Sequence, residues 1–285
     1  MQIIFDQVSA DYQLGPIRAK NIIDDVSLQI QPATFNAVIG QTGAGKTSLL
    51  KLINGLLSPS SGSIQVGDII LESATKNADL NQVRKRVGMV FQFPENQLFA
   101  ETVEADIAFG PKNFNFSPEE VRRSVDRSLE QVGLSKELLS RSPFSLSGGQ
   151  QRRVALAGVL ATKPDVLVLD EPGAGLDSNG KREIFSLIKK LNEQDHVTVL
   201  VVTHDMNDVA MYADHVLLLG KGKVVTYQET KAFFSHQDQL VNWSLDLPDV
   251  LHLQRQIEQQ TGITLKRASL TNLELIDQLI EEKIV

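Results

Sequence analysis

Eight consecutive residues, Gly40-Gln41-Thr42-Gly43-Ala44-Gly45-Lys46-Thr47, follow the pattern G-x-x-x-x-G-K-[ST]. Glycines at these spacings let successive backbone N–H groups turn inward around phosphate oxygens, and a following helix adds its positive dipole end. Lys46 brings a point charge to the β- and γ-phosphates, and the Thr47 hydroxyl is a Mg2+ ligand; with Ser48 these residues make up the expected nucleotide-binding segment. A second stretch, Val166-Leu167-Val168-Leu169-Asp170-Glu171, is apolar until it ends in two acids. Unpaired carboxylates at the end of a buried strand are costly. A metal accounts for the first, with Asp170 ordering the water shell of Mg2+. Glu171, one residue further on, is suited to polarise an attacking water as general base. Together the two segments imply hydrolysis of a nucleoside triphosphate.

The elements around these residues must hold them in place. Residues 2–8 and 26–30 read as β-rich segments. Phe35–Ile39 is an apolar strand running into the glycine cluster, and Leu49, Leu50, Ile53 and Leu57 share one face of a helix from about Lys46 to Leu57. The stretch Ser58-Pro59-Ser60-Ser61-Gly62 closes that unit as a turn. Val166–Leu169 and Val197–Val202 are near-continuous apolar runs, as in a parallel sheet covered on both faces. Between the halves of this α/β core, residues from about 101 to 159 read as a helical insertion, with Ser117-Pro118-Glu119-Glu120 opening one helix. The expected organisation is a main domain over 1–225 and a C-terminal domain over 226–285. In that tail Leu251, Leu253 and Ile257 suggest one helix. Thr271-Asn272-Leu273-Glu274 resembles a capping box opening another, with Ile276, Leu279, Ile280 and Ile284 on one face.

Composition narrows the class further. A chain of 285 residues, 42% hydrophobic and 22% charged, fits one large globular domain with small additions. A net charge of −7 argues against a nucleic-acid binder. The absence of cysteine removes disulfides, thiol chemistry and cysteine-based zinc sites. The N-terminus lacks the basic start and apolar run of a secretory signal. No apolar run approaches the roughly 18 residues of a membrane-spanning helix, so at a membrane other chains must do the crossing.

A third motif, Leu146-Ser147-Gly148-Gly149-Gln150, gives the chain a resemblance to the ABC-type ATPases. The fold class this implies is α/β, a P-loop ATPase core with a helical subdomain inserted and a small C-terminal appendage. In that family the signature motif of one subunit binds the γ-phosphate held by the phosphate loop of another, so the resemblance implies a dimer. It further implies that Gln92 senses Mg2+ and water, that Asp177 lies in a loop crossing the dimer interface, and that His204 contacts the γ-phosphate. Tyr12 matches the aromatic that stacks on adenine. ATP and Mg2+ are the cofactors it brings.

Phe91-Gln92-Phe93-Pro94-Glu95-Asn96-Gln97-Leu98-Phe99, followed by Phe109-Gly110-Pro111-Lys112-Asn113, is similar to the ATPases of energy-coupling factor (ECF) vitamin importers, and Phe93-Pro94-Glu95 to the second of their two paired ATPases. The alternative is the ATPase of another ABC importer class. The ECF resemblance implies a second related ATPase as heterodimer partner, a membrane scaffold with coupling helices, exchangeable substrate-binding membrane subunits, and a place on the cytoplasmic face of the membrane. Gly173 stands where that family usually has Thr, Ser178 where it usually has Pro, and Ala33-Thr34 replaces a usual glycine. Glu95, Glu101, Glu104 and Asp106 are expected to offer an acidic groove to an arginine of a coupling helix, with Phe91, Phe93 and Phe99 lining it.

Overall fold

In the computed structural model residues 1–14, 17–235, 240, 243 and 245–282 are described, the side chains of 13, 14 and 17–20 excepted. The chain begins with β1 (Ile3–Leu14), β2 (Ile17–Ile30) and β3 (Phe35–Ile39), then α1 (Lys46–Ile53), β4 (Ser61–Val66) and β5 (Ile69–Leu71). Next come α2 (Asn77–Arg86), β6 (Val87–Val90), and the helices α3 (Val103–Asn113), α4 (Pro118–Gln131) and α5 (Gly148–Leu160). The segment after them holds β7 (Val166–Asp170), α6 (Ser178–Asp195), β8 (Thr198–Val202), α7 (Met206–Tyr212), β9 (His215–Gly220), β10 (Lys223–Glu229) and α8 (Thr230–Ser235). Towards the C-terminus lie α9 (Asp249–Thr261) and α10 (Asn272–Glu281).

Two sheets divide the strands. One is antiparallel, in the order β2-β1-β4-β5; the other runs β10-β9-β3-β8-β7-β6, parallel except for β10. Successive side chains on a strand point to opposite faces, and the main sheet uses both. Val166, Val168, Leu200 and Val202 join Leu49, Leu50, Leu52 and Ile53 of α1 and the inner face of the antiparallel sheet in one buried cluster. Leu167, Leu169, Val199 and Val201 join residues of α3, α4, α5 and α6 in another. Burial on both faces is why β7 and β8 read as uninterrupted apolar runs.

Three local readings need correction. The strands expected over 2–8 and 26–30 belong to longer ones, because irregularities break the alternation: register shifts lie between Phe5 and Val8 and between Val8 and Ala10, and Gln7, Asn21 and Asp25 have positive φ. Helix α1 stops at Ile53 instead of Leu57. Gly55 takes φ 69°, and the N–H groups of Gly55 and Leu56 donate to the Leu52 and Lys51 carbonyls at 3.2 and 2.9 Å, a left-handed glycine stop. The apolar stripe expected on α10 is split: Leu279 is buried with Leu265 and Leu275, while Ile276 and Ile280 face solvent. Ile284 lies outside the described residues. Thr271 accepts from the Glu274 N–H as expected, and the Glu274 carboxylate accepts the Leu270 N–H at 2.8 Å and lies within reach of the Thr271 N–H. Leu253 of α9 is also exposed, while Leu251 packs with Phe233, Phe234 and Leu270 against Ala37 and Ile39 of β3.

Candidate active site

Four neighbouring parallel strands, β3, β8, β7 and β6, end on the same edge of the main sheet. At or just past their ends lie the phosphate loop, His204, the Asp170–Glu171 pair and Gln92. Sites of open α/β sheets form at such carboxyl ends. The loop backbone needs its glycines: Gly40 has φ 142° and Gly45 φ 101°, and a Cβ on either would meet a backbone oxygen, of Leu219 at 2.2 Å or of Ile22 at 2.6 Å. Gly45 caps α1 without a side-chain hydrogen bond. The first N–H groups of a helix have no intrahelical partner, so they point into the loop.

Lys46 Nζ donates to the carbonyls of Gly40 and Gln41, at 2.7 and 3.0 Å, which folds its ammonium over the loop. Burial lowers its pKa, and the nearby charges of Glu171 and Asp170 act in the opposite direction. Thr47 Oγ1 donates to Asp170 Oδ2 at 2.7 Å. Burial pushes the Asp170 carboxyl above its ordinary value, Glu171 adds to the push, and the Thr47 hydrogen bond and Lys46 oppose it. A desolvated carboxylate beside a hydroxyl is a hard-oxygen donor pair of the kind Mg2+ takes, with further ligands drawn from water and phosphate. Among the described residues no group of three or more His, Cys, Asp or Glu could hold a metal by itself.

Glu171 sits just past β7 with φ 49°, uncommon for a residue other than glycine, and its N–H donates to the Val202 carbonyl at 3.1 Å. Its carboxylate receives Gln92 Nε2 at 3.0 Å on Oε2 and faces His204 Nδ1 at 3.6 Å from Oε1. An acid held between an amide and an imidazole, partly exposed at a strand end, is placed to accept a proton from water. Tyr12 lies beside α1: Lys51 Nζ donates to its hydroxyl at 3.1 Å and stands 5.3 Å from its ring centre.

The signature motif lies apart from this cluster. Ser147 caps α5, accepting from the Gln150 N–H while Gln150 Oε1 accepts from the Ser147 N–H. Gly148 and Gly149 have open space where a Cβ would stand. Leu146 is buried, whereas Ser147 and Gly149 line a cavity with Leu176 and Glu183 that includes no phosphate-loop residue. Asp177 caps α6, accepting from the Gly180 N–H at 2.7 Å.

The acidic groove expected beyond Gln92 is not formed as a set. Glu95 is committed to Arg152 through two hydrogen bonds, and Asp106 accepts from the N–H groups of Phe99 and Ala100. Glu101 and Glu104 are exposed. Phe91 and Phe99 line a groove with Leu56 and Phe109, but Phe93, turned by φ 55°, packs on Gly175 beside the active site. Two arrangements escaped the sequence reading. Lys181 of α6 pairs with Asp205 and, at 2.7 Å, with Asp208 behind His204. Its side chain also covers Gly173, where a Cβ would meet Lys181 Cγ at 2.9 Å, so the smaller residue at 173 leaves room for that lysine. Arg152 joins three segments, as described below. No local pattern announces either arrangement, because the partners are far apart in the chain.

A phosphate loop, an acidic strand end, a glutamine, a histidine and an Ser-Gly-Gly-capped helix on one α/β core define an ABC-type ATPase. The pattern of the ABC transporter family matches residues 23–174. The chain is similar to cbiO1 of Clostridium perfringens, part of the ABC transporter complex cbiONQ, with TM-score 0.73 and 32% identity over 89% of this chain and 98% of that one. It is also similar to the ATP-binding cassette MJ0796 in its dimeric post-hydrolysis state with ADP and Pi, with TM-score 0.69 and 30% identity over 80% and 98% of the two chains. The energy-coupling factor transporter ATP-binding protein EcfA2 of Bacillus cereus is 44% identical over 99% of this chain and 96% of its own length. EcfA2 of Staphylococcus aureus is 42% identical over 95% of each. This chain belongs to that family of ATP-binding proteins of ECF transporters, and it is an ATPase.

Proposed function

We propose that this chain works as one of two paired ATPase subunits that drive an ECF-type importer of vitamins or other micronutrients, docked on the cytoplasmic face of a membrane scaffold. The observation that carries the reading is the separation within the chain. The phosphate-handling groups converge at the strand ends, while the signature helix opens elsewhere with its first N–H groups exposed. A second subunit would supply the missing signature to this site and receive this one in return.

In the proposed site the loop from Gly40 to Ser48 binds the phosphates, Tyr12 stacks on adenine, and Lys46 neutralises charge on the β- and γ-phosphates. Thr47, Asp170 and Gln92 would hold Mg2+, which when bound offsets phosphate charge. Glu171 accepts the proton of the attacking water, and Gln92 and His204 fix its carboxylate. Ser147 to Gln150 donate to the γ-phosphate held by the other subunit, and Asp177 lies at the joint. Among the described residues no helix is long and apolar enough to cross a membrane, so transport needs separate membrane subunits; the groove lined by Phe91, Phe99 and Phe109 suits a coupling helix.

Per-site nucleotide trapping in the complex with a second ATPase tests this. Ser147→Ala should impair the site whose phosphate loop belongs to the other subunit. Loss confined to this chain's own phosphate-loop site would overturn the composite arrangement.

A further inference from the structure

Arg152 lies one turn into α5, the helix that starts at the signature serine, and only 4% of it is exposed. Its guanidinium reaches two other segments. Nε and Nη2 donate to Glu95 Oε2 and Oε1, at 2.9 and 2.8 Å, in a bidentate pair. Nη1 donates to the Ala174 carbonyl at 2.9 Å and the Pro172 carbonyl at 3.4 Å. Glu95 stands three residues after Gln92, and Pro172 directly follows Glu171. The Phe93 ring lies between the two segments, 6.0 Å from the guanidinium carbon and in contact with the position of Gly175.

One buried side chain therefore ties the signature helix to both segments that place the general base. A planar fork can hold a carboxylate with two donors while the remaining nitrogen serves carbonyls, which a lysine cannot reproduce. A bidentate pair in a dry setting allows little relative sliding of the parts it joins.

We propose that Arg152 is a positioning residue: it sets the Gln92–Glu171 geometry of its own site according to where the signature helix stands. When the signature segment engages the nucleotide of the other subunit, α5 carries Arg152, and Arg152 carries the Gln92 and Glu171 segments. Hydrolysis at this chain's site is thereby made to depend on closure at the other. Its guanidinium is committed to Glu95 and to the Pro172 and Ala174 carbonyls, so it acts through those segments. The inference rests on the composite-site reading given above.

The test uses the assembled complex with this chain alone altered. Arg152→Lys keeps the charge and loses the fork; turnover per site should fall about 10- to 100-fold, the range expected for misplacing a catalytic group by about 1 Å. KM for ATP should change by no more than about twofold, because the phosphate loop is untouched. The double variant Arg152→Met/Glu95→Met replaces the buried ion pair with apolar side chains, a change that is commonly neutral or stabilising. It should melt within a few degrees of wild type, the loss of the Nη1 donor at the Pro172 and Ala174 carbonyls offsetting what removal of the ion pair returns, and still turn over slowly. If the apolar pair restored turnover together with the melting temperature, Arg152 would be packing only and the inference overturned. Wild-type turnover in a folded Arg152→Lys complex would overturn it too. A Glu171→Gln complex that hydrolysed ATP normally would instead sink the reading of the site, and this inference with it.

Discussion

Thr47 Oγ1 and Asp170 Oδ2 lie 2.7 Å apart although 123 residues separate them in the chain. Parallel pairing across β3, β8 and β7 brings the phosphate loop and the acidic strand end to the same edge. Thr47→Val keeps the shape and removes the hydroxyl. Nucleotide affinity without Mg2+ should stay close to wild type, while the gain from adding Mg2+ should shrink at least about tenfold, in line with losses at metal-site partners. Titration of a fluorescent nucleotide with and without Mg2+ measures both; an unchanged gain would take Thr47 out of the metal site.

Glu171→Gln is isosteric but cannot accept a proton from water. It should bind ATP normally and lose about 10²- to 10⁴-fold in turnover, the usual contribution of a general base. Lys46→Ala should instead weaken binding itself, because it removes the ammonium held over the loop by Gly40 and Gln41. Equilibrium binding and steady-state hydrolysis, measured on both variants, separate the two effects.

What could be read from the sequence were the groups whose chemistry depends on adjacent residues. The phosphate loop needs contiguous glycines, and Asp170-Glu171 needs only the strand before it, so each announces itself locally. Arg152 and Glu95 are 57 residues apart, and nothing in either segment indicates that they meet. Counting Glu95 among acids free for a partner failed for that reason. Phe93 was misplaced because a positive φ reverses the direction that its neighbours Phe91 and Phe99 suggest. On α10 the helical spacing was right in period, yet period alone does not say which half of a broad apolar face the rest of the chain covers.

Ala33-Thr34 stands where the family resemblance leads one to expect a glycine, and of the two residues Ala33 adopts φ 60°. Its N–H donates to Thr198 Oγ1 at 3.0 Å and its carbonyl accepts from Asn192 Nδ2 at 3.0 Å, which fixes the strained conformation ahead of β3. The left-handed region costs a residue with a Cβ about 1–2 kcal/mol, and glycine gives part of that back through its larger unfolded-state entropy. Ala33→Gly should therefore stabilise the chain by about 0.5–1 kcal/mol without changing ATP turnover. A lower melting temperature would show that the two flanking hydrogen bonds have already relaxed the strain.

Leu273, Ile276 and Ile280 form an exposed apolar row on α10, at 74%, 49% and 58% exposure, backed by the buried Leu275 and Leu279. An exposed apolar row of this kind is a candidate surface for a partner subunit to cover. Ile276→Ser/Ile280→Ser should leave the fold intact, since neither side chain belongs to the buried cluster, and should weaken pairing with the second ATPase about tenfold or more. Analytical ultracentrifugation of the mixed subunits reads this directly. Unchanged pairing would assign the tail to packing on its own core alone.

The groove proposed for the membrane partner offers aromatic side chains more than charge. Phe99 and Phe109 meet edge to face with ring centres 4.8 Å apart, both largely exposed, beside Leu56. Glu95 and Asp106, half of the acids that this region carries, are already engaged within the chain. Glu101 and Glu104 remain in solvent, where an ion pair contributes only about 0–1 kcal/mol, whereas a buried aromatic anchor contributes about 2 kcal/mol or more. Phe99→Ala should thus weaken association with the membrane scaffold by about 30-fold and uncouple transport, with ATP affinity of the free chain unchanged. Glu101→Gln and Glu104→Gln should each weaken association by about fivefold or less. The opposite ranking, with a glutamate variant dissociating and Phe99→Ala assembling normally, would return the charge to the centre of the interface and make the aromatic pair its rim.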